Sequence, residues 1–154
     1  THCTSSAASD VYKRQNKTRP IAEHFAWVHS VDREKIARRL SEQRPNHLPD
    51  LNVCLQVNID RETTKSGVLP EAVLPLAQSV AAQPRLQLAG LMCIPAPTHP
   101  AQAFQRLAGL QAQLQQAGLR ADTLSMGMSD DLEPAIAEGS TMVRIGSALF
   151  GERM

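Results

Sequence analysis

The sequence predicts an α/β fold of parallel strands, with about five βα units of an incomplete (β/α)8 TIM barrel. Three observations lead there. After Asn16 the chain alternates period-two apolar segments with helical ones, at the spacing that right-handed crossovers between parallel strands require. Near the C-terminus two strand ends bearing glycine and serine, Gly127-Met128-Ser129 and Gly146-Ser147, stand one helix apart. Phosphate sites of β/α barrels are commonly built this way, from the loops after the seventh and eighth strands. The chain has 154 residues, whereas a complete barrel takes about 250 and rarely fewer than about 200. The motifs therefore announce a larger fold than this length holds.

The elements follow in order. Trp27 to Val31 reads as a strand, and Asp32 is placed to cap a helix carrying Ile36 and Leu40 on one face. Arg44-Pro45-Asn46-His47-Leu48-Pro49 breaks that helix. Across Asn52 to Ile59, Val53, Leu55, Val57 and Ile59 alternate with Asn52, Cys54, Gln56 and Asn58. One face of this strand is apolar and should meet the helices; the other turns Gln56 and Asn58 into the barrel near its C-terminal end. Those two amides either bond each other or a buried water, or they touch a ligand.

After Lys65-Ser66-Gly67, a helix carries Val73, Leu76, Ala77 and Val80. Pro70 suits its first turn, and Pro75 should delay its start or bend it. Leu86 to Ile94 is the next strand, ended by Pro95-Ala-Pro97. Phe104, Leu107, Leu110 and Leu114 mark the core face of a helix that Gly118 stops. A short strand then ends in Gly127-Met128-Ser129, Asp130 and Asp131 open a helix, Gly139 closes it, and Met142 to Ile145 is the last strand.

Composition excludes several functions. A formal net charge of +1 with 20% charged residues gives no electrostatic footprint for nucleic acid, and 3% aromatic content gives no stacking platform. No apolar run approaches the roughly 18 residues of a membrane span. Cys3, Cys54 and Cys93 form no Cys-x-x-Cys pair and have no histidine at metal-ligand spacing, so no metal site is expected and the latter two read as reduced core thiols. The expected location is cytoplasmic.

The C-terminal segment Leu124 to Gly151 resembles the signature of the pyridoxal phosphate homeostasis proteins, single-domain relatives of the alanine racemase barrel. So do Asn16-Lys-Thr-Arg-Pro20, Val28-His-Ser-Val-Asp32, Val57-Asn-Ile-Asp60 with Lys65-Ser-Gly67, and Gly90-Leu-Met-Cys-Ile-Pro95. Five motifs in the right order run from about Asn16 to the C-terminus. Residues 1–15 show no apolar periodicity and no such resemblance; Ser6 to Gln15 resembles translated sequencing-adapter read-through, and the segment is expected to be artefactual or a disordered arm. The domain is thus expected to be 16–154, the C-terminal portion of a barrel of the alanine racemase N-terminal type.

The resemblance implies a non-catalytic protein of vitamin B6 homeostasis that binds pyridoxal 5′-phosphate. Ser129, Gly146 and Ser147 would hold the phosphate through backbone N–H groups and hydroxyls. Arg144 corresponds to the arginine that faces the cofactor's pyridine nitrogen in the racemase barrel; a salt bridge is its alternative. Met92 would lie beside the ring or simply pack in the core, and Asn58 completes the candidate contacts. Asp130, Asp131 and Glu133 should satisfy the helix start, without catalysis. His29 and His99 read as a packed strand residue and a loop residue.

The family's Schiff-base lysine belongs to an earlier strand that is expected to be missing. Binding by this chain should then be weak, through the phosphate and non-covalent, with Lys65 a poor substitute. Two unpaired sheet edges should make the isolated chain insoluble or molten. The complete protein should be a monomer that passes the cofactor to apoenzymes. The enzyme alternative is an amino-acid racemase or decarboxylase of the same barrel type, which would need a second, β-rich domain. The non-cofactor alternative is a partner-binding fragment.

Overall fold

The computed structural model describes residues 18–63, 66–96, 98–128 and 131–144. Its elements are α1 (Thr18–His24), β1 (Trp27–Val31), α2 (Glu34–Gln43), β2 (Leu51–Gln56), a 3-10 turn (Pro70–Ala72) running into α3 (Val73–Ala82), β3 (Leu86–Met92), α4 (Pro100–Gln116), β4 (Thr123–Met128), α5 (Leu132–Ala137) and β5 (Met142–Arg144). The strands form one sheet in the order β1-β2-β3-β4-β5, with every neighbouring pair parallel. Sequential parallel strands joined by helices are the half-barrel that the alternation of periods predicts.

Each strand sorts its residues between two faces. Val53 and Leu55 of β2, Leu88 and Leu91 of β3, and Leu124 and Met126 of β4 join one buried cluster with Leu40, Ala77, Val80, Phe104 and Leu107 from the helices. Cys54, Ala89 and Met92 form a second cluster on the opposite face, with Trp27 packed against it. The two faces of β2 therefore match its sequence alternation. The strand itself ends at Gln56; Val57 still donates its N–H to the Met92 carbonyl at 2.8 Å, and on its other side forms an isolated bridge with Val68 where the following loop folds back.

The helices follow their apolar stripes. Ala37 and Leu40 are buried on α2, Val73, Leu76, Ala77 and Val80 on α3, and Phe104, Leu107 and Leu114 on α4. Pro75 is the third residue of α3, after a 3-10 turn that begins with Pro70 at its first position. Its missing N–H falls within the first turn, where no intrahelical acceptor exists, so it delays the α-helix without breaking it.

Two expectations need correction. Asp32 does not cap α2: the N-cap residue is Arg33, with no side-chain cap bond. The Asp32 carboxylate instead accepts the N–H of Gly67, 3.1 Å away and 35 residues further on. Asp131 is the N-cap residue of α5 but likewise makes no side-chain cap bond; its carboxylate accepts the Met128 N–H at the end of β4, at 2.6 Å. Both carboxylates bond backbone N–H groups outside the helix that follows them.

No apolar periodicity in the sequence announces the helix at Thr18–His24. A seven-residue helix is too short to persist on propensity alone, and tertiary contacts hold it. Ile21 and Ala22 are buried, and Thr18 Oγ1 donates to Gln43 Oε1 of α2 at 2.7 Å. Arg44, only 5% exposed, donates from Nη1 to the carbonyls of Ala22 and Phe25 at 2.9 and 2.6 Å, and from Nε and Nη2 to that of Pro49 at 2.9 and 2.7 Å. Burial pulls its pKa below the usual arginine value, which Asp50 partly opposes. Arg44 thus does more than end α2: it fastens the end of α1 to the approach of β2.

Beside the next strand pair, Gly90 meets the backbone of β4. A Cβ there would lie 1.8 Å from the Thr123 carbonyl oxygen, and backbone cannot swing aside as a flexible side chain can. Gly90→Ala is therefore expected to lower stability by at least about 2 kcal/mol in urea denaturation, by forcing β3 from β4. Arg44→Ala should cost about 2–4 kcal/mol in the same measurement, since three carbonyls lose a charged donor inside the protein.

Candidate functional site

Parallel strands bring all their C-terminal ends to one rim, where β/α folds keep their sites. Here that rim carries Val31, Gln56, Met92, Met128 and Arg144, the last residues of β1 to β5. Below it lies the inner face, with Trp27, Cys54, Ala89 and Met92 supplying apolar surface. Met92 is 2% exposed at the end of β3, on this face and not among the helices.

One polar contact crosses the inner face. His29 Nδ1 and Ser125 Oγ share a hydrogen bond of 2.8 Å, with the direction set by the imidazole tautomer, and both residues are buried at 1% and 0% exposure. His29 belongs to β1 and Ser125 to β4, with β2 and β3 between them in the sheet. Neighbouring strands lie about 4.8 Å apart, so side chains from the first and fourth can touch only if the sheet curls around them. The pair therefore marks a concave interior. The Trp27 and His29 rings stand 5.9 Å apart at 58°, extending this wall toward the start of β1. Sequence spacing alone offers His29 no partner, since Ser125 lies 96 residues away. Its inward parity with Trp27, and that of Ser125 against Leu124 and Met126, was the available signal.

The candidate residues divide sharply. Asn58, 8% exposed, donates from Nδ2 to the Glu62 carbonyl at 2.6 Å and accepts the Glu62 N–H on Oδ1 at 3.0 Å. Its amide thus closes its own loop in a reciprocal pair. Gln56 Nε2 reaches the Ser66 carbonyl at a weak 3.5 Å. Both amides engage loop backbone, which neither sequence alternative had named.

Arg144 is the last described residue of β5, and its Cα is the register partner of Met128 at the end of β4. Ser129, Gly146 and Ser147, together with Lys65 and Thr1 to Gln15, lie outside the described residues, as does the Arg144 side chain. The strand end before the first of these residues is closely packed. Gly127 has φ +103°, and a Cβ on it would come within 2.6 Å of the Ala135 Cβ of α5. Only glycine allows that strand end to sit so close to the following helix. Exposed apolar surface at the rim comes from Met128 and Ile94, at 46% and 36%.

Other chemistries find no support among the described residues. No group of three His, Cys, Asp or Glu is arranged to hold a metal ion. Cys54 and Cys93 are buried and not disulfide-bonded. No helix is long and apolar enough to cross a membrane. For the pair that spans the interior, Ser125→Ala removes the hydroxyl facing a buried imidazole nitrogen. It is expected to cost about 1–3 kcal/mol in urea denaturation, and a change within the error of the measurement would show the contact to be energetically idle.

Comparison with known proteins agrees with this geometry. A sequence model of the family described as "Alanine racemase, N-terminal domain" matches residues 11–154. A pyridoxal phosphate homeostasis protein of Pseudomonas aeruginosa is 63% identical over 144 residues, 91% of this chain and 61% of the relative. The proteins of the same name from Vibrio cholerae and Escherichia coli K12 are 56% and 51% identical, with 91% of this chain matched in each. The chain thus spans about 61% of the length of these curated relatives.

Among solved structures, PipY of Synechococcus elongatus PCC7942 without PLP superposes with a TM-score of 0.82 at 34% identity, over 90% of this chain and 67% of that one. The same protein with PLP bound gives 0.73 at 36%, over the same shares. An alanine racemase of Clostridium difficile 630, at 15% identity and a TM-score of 0.72, shares the fold over 92% of this chain and 38% of its own. The resemblance carried by the five sequence motifs is borne out, and the chain belongs to the alanine racemase N-terminal domain family.

Proposed function

We propose that residues 16–154 are the cofactor-binding portion of a protein that binds pyridoxal 5′-phosphate in vitamin B6 homeostasis, without turnover. The observation that carries this reading is the register of the last strand pair. Met128 and Arg144 are partners at the C-terminal rim, so the segments that hold Ser129 and Gly146-Ser147 leave adjacent strand ends of one parallel sheet. A phosphate dianion needs several converging N–H and O–H donors, which residue types of these segments can supply. Support comes from the relatives named for pyridoxal phosphate homeostasis and from the PLP-bound PipY structure at 36% identity.

The group, when bound, supplies an aldehyde and an aromatic ring that can accept electron density. In this chain Ser129, Gly146 and Ser147 would bind the phosphate, and Arg144 would orient the ring by donating to its pyridine nitrogen. A guanidinium never gives up its proton there, so the nitrogen stays unprotonated and the ring stays a weak electron sink, which suits carriage more than catalysis. Met92, on the buried inner face, gives the ring an apolar neighbour. Asn58 fixes the loop after β2 beside it. The protein is read as cytoplasmic and monomeric when complete, with apoenzymes that require pyridoxal phosphate as its recipients.

Titration of the chain with pyridoxal phosphate, followed by absorbance, is expected to show saturable binding. In the protein extended with the family's N-terminal strands, Arg144→Ala and Ser129→Ala should each weaken binding by about 1–3 kcal/mol through loss of a charge-assisted hydrogen bond. Unchanged affinity in both variants would remove the phosphate site from these loops. Chiral analysis after incubation with L-alanine and the cofactor should find no D-alanine beyond the protein-free control, and enzymatic racemisation would overturn the non-catalytic reading.

A further inference from the structure

The rim loops are joined by two carboxylates built to the same plan. Asp32, just after β1, accepts the Gly67 N–H from the loop after β2 on Oδ2 at 3.1 Å, while its Oδ1 faces Arg33 Nε at 3.5 Å. Asp60, in the loop after β2, accepts the Ala96 N–H from the loop after β3 on Oδ2 at 2.6 Å, while its Oδ1 faces Arg106 Nη1 at 4.0 Å. Each carboxylate thus reaches one βα unit forward. It gives one oxygen to the next loop's backbone and turns the other toward a guanidinium.

Both side chains are largely sheltered, at 13% and 22% exposure, whereas Arg33 and Arg106 are 60% and 56% exposed. Exposed ion pairs contribute little. The sheltered bonds from backbone N–H to carboxylate are the stronger partners, and they act across 35 and 36 residues of sequence. The loop between them is also fixed from within, by the reciprocal Asn58 and Glu62 bonds and by Asn58 N–H donating to the Val68 carbonyl at 2.9 Å. The loops after β1, β2 and β3 therefore form one connected rim instead of three separate segments.

Carboxylates at the mouth of an anion site are unfavourable unless they do something else. Here their oxygens are committed to neighbouring loops. We propose that Asp32 and Asp60 are positioning residues for cofactor binding, each holding the next loop of the rim in the conformation that receives pyridoxal phosphate. This rests on the reading of the site as a pyridoxal phosphate site. Coupling through the two carboxylates means that a ligand ordering one loop orders its neighbour.

The test uses this chain with pyridoxal phosphate as the probe, measuring affinity and amide hydrogen exchange together. In the unmodified chain, saturating cofactor should slow exchange at both Gly67 and Ala96. Asp32→Ala and Asp60→Ala should each weaken binding about tenfold, and Asp32→Asn and Asp60→Asn, which keep an acceptor oxygen, should restore most of it. In Asp60→Ala the cofactor should still protect Gly67 but no longer Ala96, and Asp32→Ala should show the reverse. A merely structural loss would change both amides alike.

Ala variants that bind as tightly as the unmodified chain would overturn the inference while leaving the cofactor reading intact. Should an Ala variant fail to fold, the unmodified chain still decides, since cofactor that leaves Gly67 and Ala96 unprotected overturns the coupling. Absence of any saturable binding by the unmodified chain would overturn the cofactor reading and this inference with it.

Discussion

Parallel alignment of every strand is the constraint on which the rest of this structure depends. When strands all point one way and each is followed by a returning helix, helix starts gather at one end of the sheet and helix ends at the other. Unsatisfied N–H groups collect at the first end and unsatisfied carbonyls at the second. The side chains sort accordingly. At the strand C-termini, Asp32, Asp60, Asp131 and Asn58 accept N–H groups from Gly67, Ala96, Met128 and Glu62.

At the opposite end the donors dominate. Arg44 serves the carbonyls of Ala22, Phe25 and Pro49, Arg85 Nε that of Ser41, the Ser41 hydroxyl that of Pro84, and Gln111 that of Ala121. The same backbone polarity that needs anionic side chains at the rim makes it hospitable to an anionic ligand. A phosphate placed there would continue a pattern that the protein's own carboxylates begin.

What the sequence revealed and what it concealed divide along range. Trp27–Val31 matches its expected strand, and the stripe of Phe104, Leu107 and Leu114 faces the core of α4 as its spacing required. These signals are local: period two in one case, 3.6 in the other. Asp32 looked like a helix cap because local pattern offered no other use for it, and its true acceptor role lies with Gly67. His29 seemed partnerless because Ser125 is 96 residues away. Helix α1 escaped notice because the partners that hold it, Gln43 for Thr18 and Arg44 for Ala22, lie 25 and 22 residues further on. For the candidate site, the glycine- and serine-bearing segments were conspicuous in sequence, whereas Asp32 and Asp60 were visible only as the ends of two motifs, because their partners Gly67 and Ala96 lie 35 and 36 residues away.

A single extra residue decides what lines the interior of this sheet. In β3, Leu86 and Leu88 face the helices, and strict alternation would send Gly90 and Met92 after them. The register slips instead, with Val53 opposite Leu88 but Cys54 opposite Gly90. Downstream of that slip Leu91 and Cys93 join the helix-side core, while Met92 turns inward beside Cys54 and Ala89. The bulge works as a reading-frame shift in side-chain orientation. Deleting one residue at this point would invert the remainder of the strand, pushing a leucine and a thiol into the cavity and withdrawing the thioether from it. The inner wall of this protein is thus specified less by which residues β3 contains than by where its alternation skips a beat.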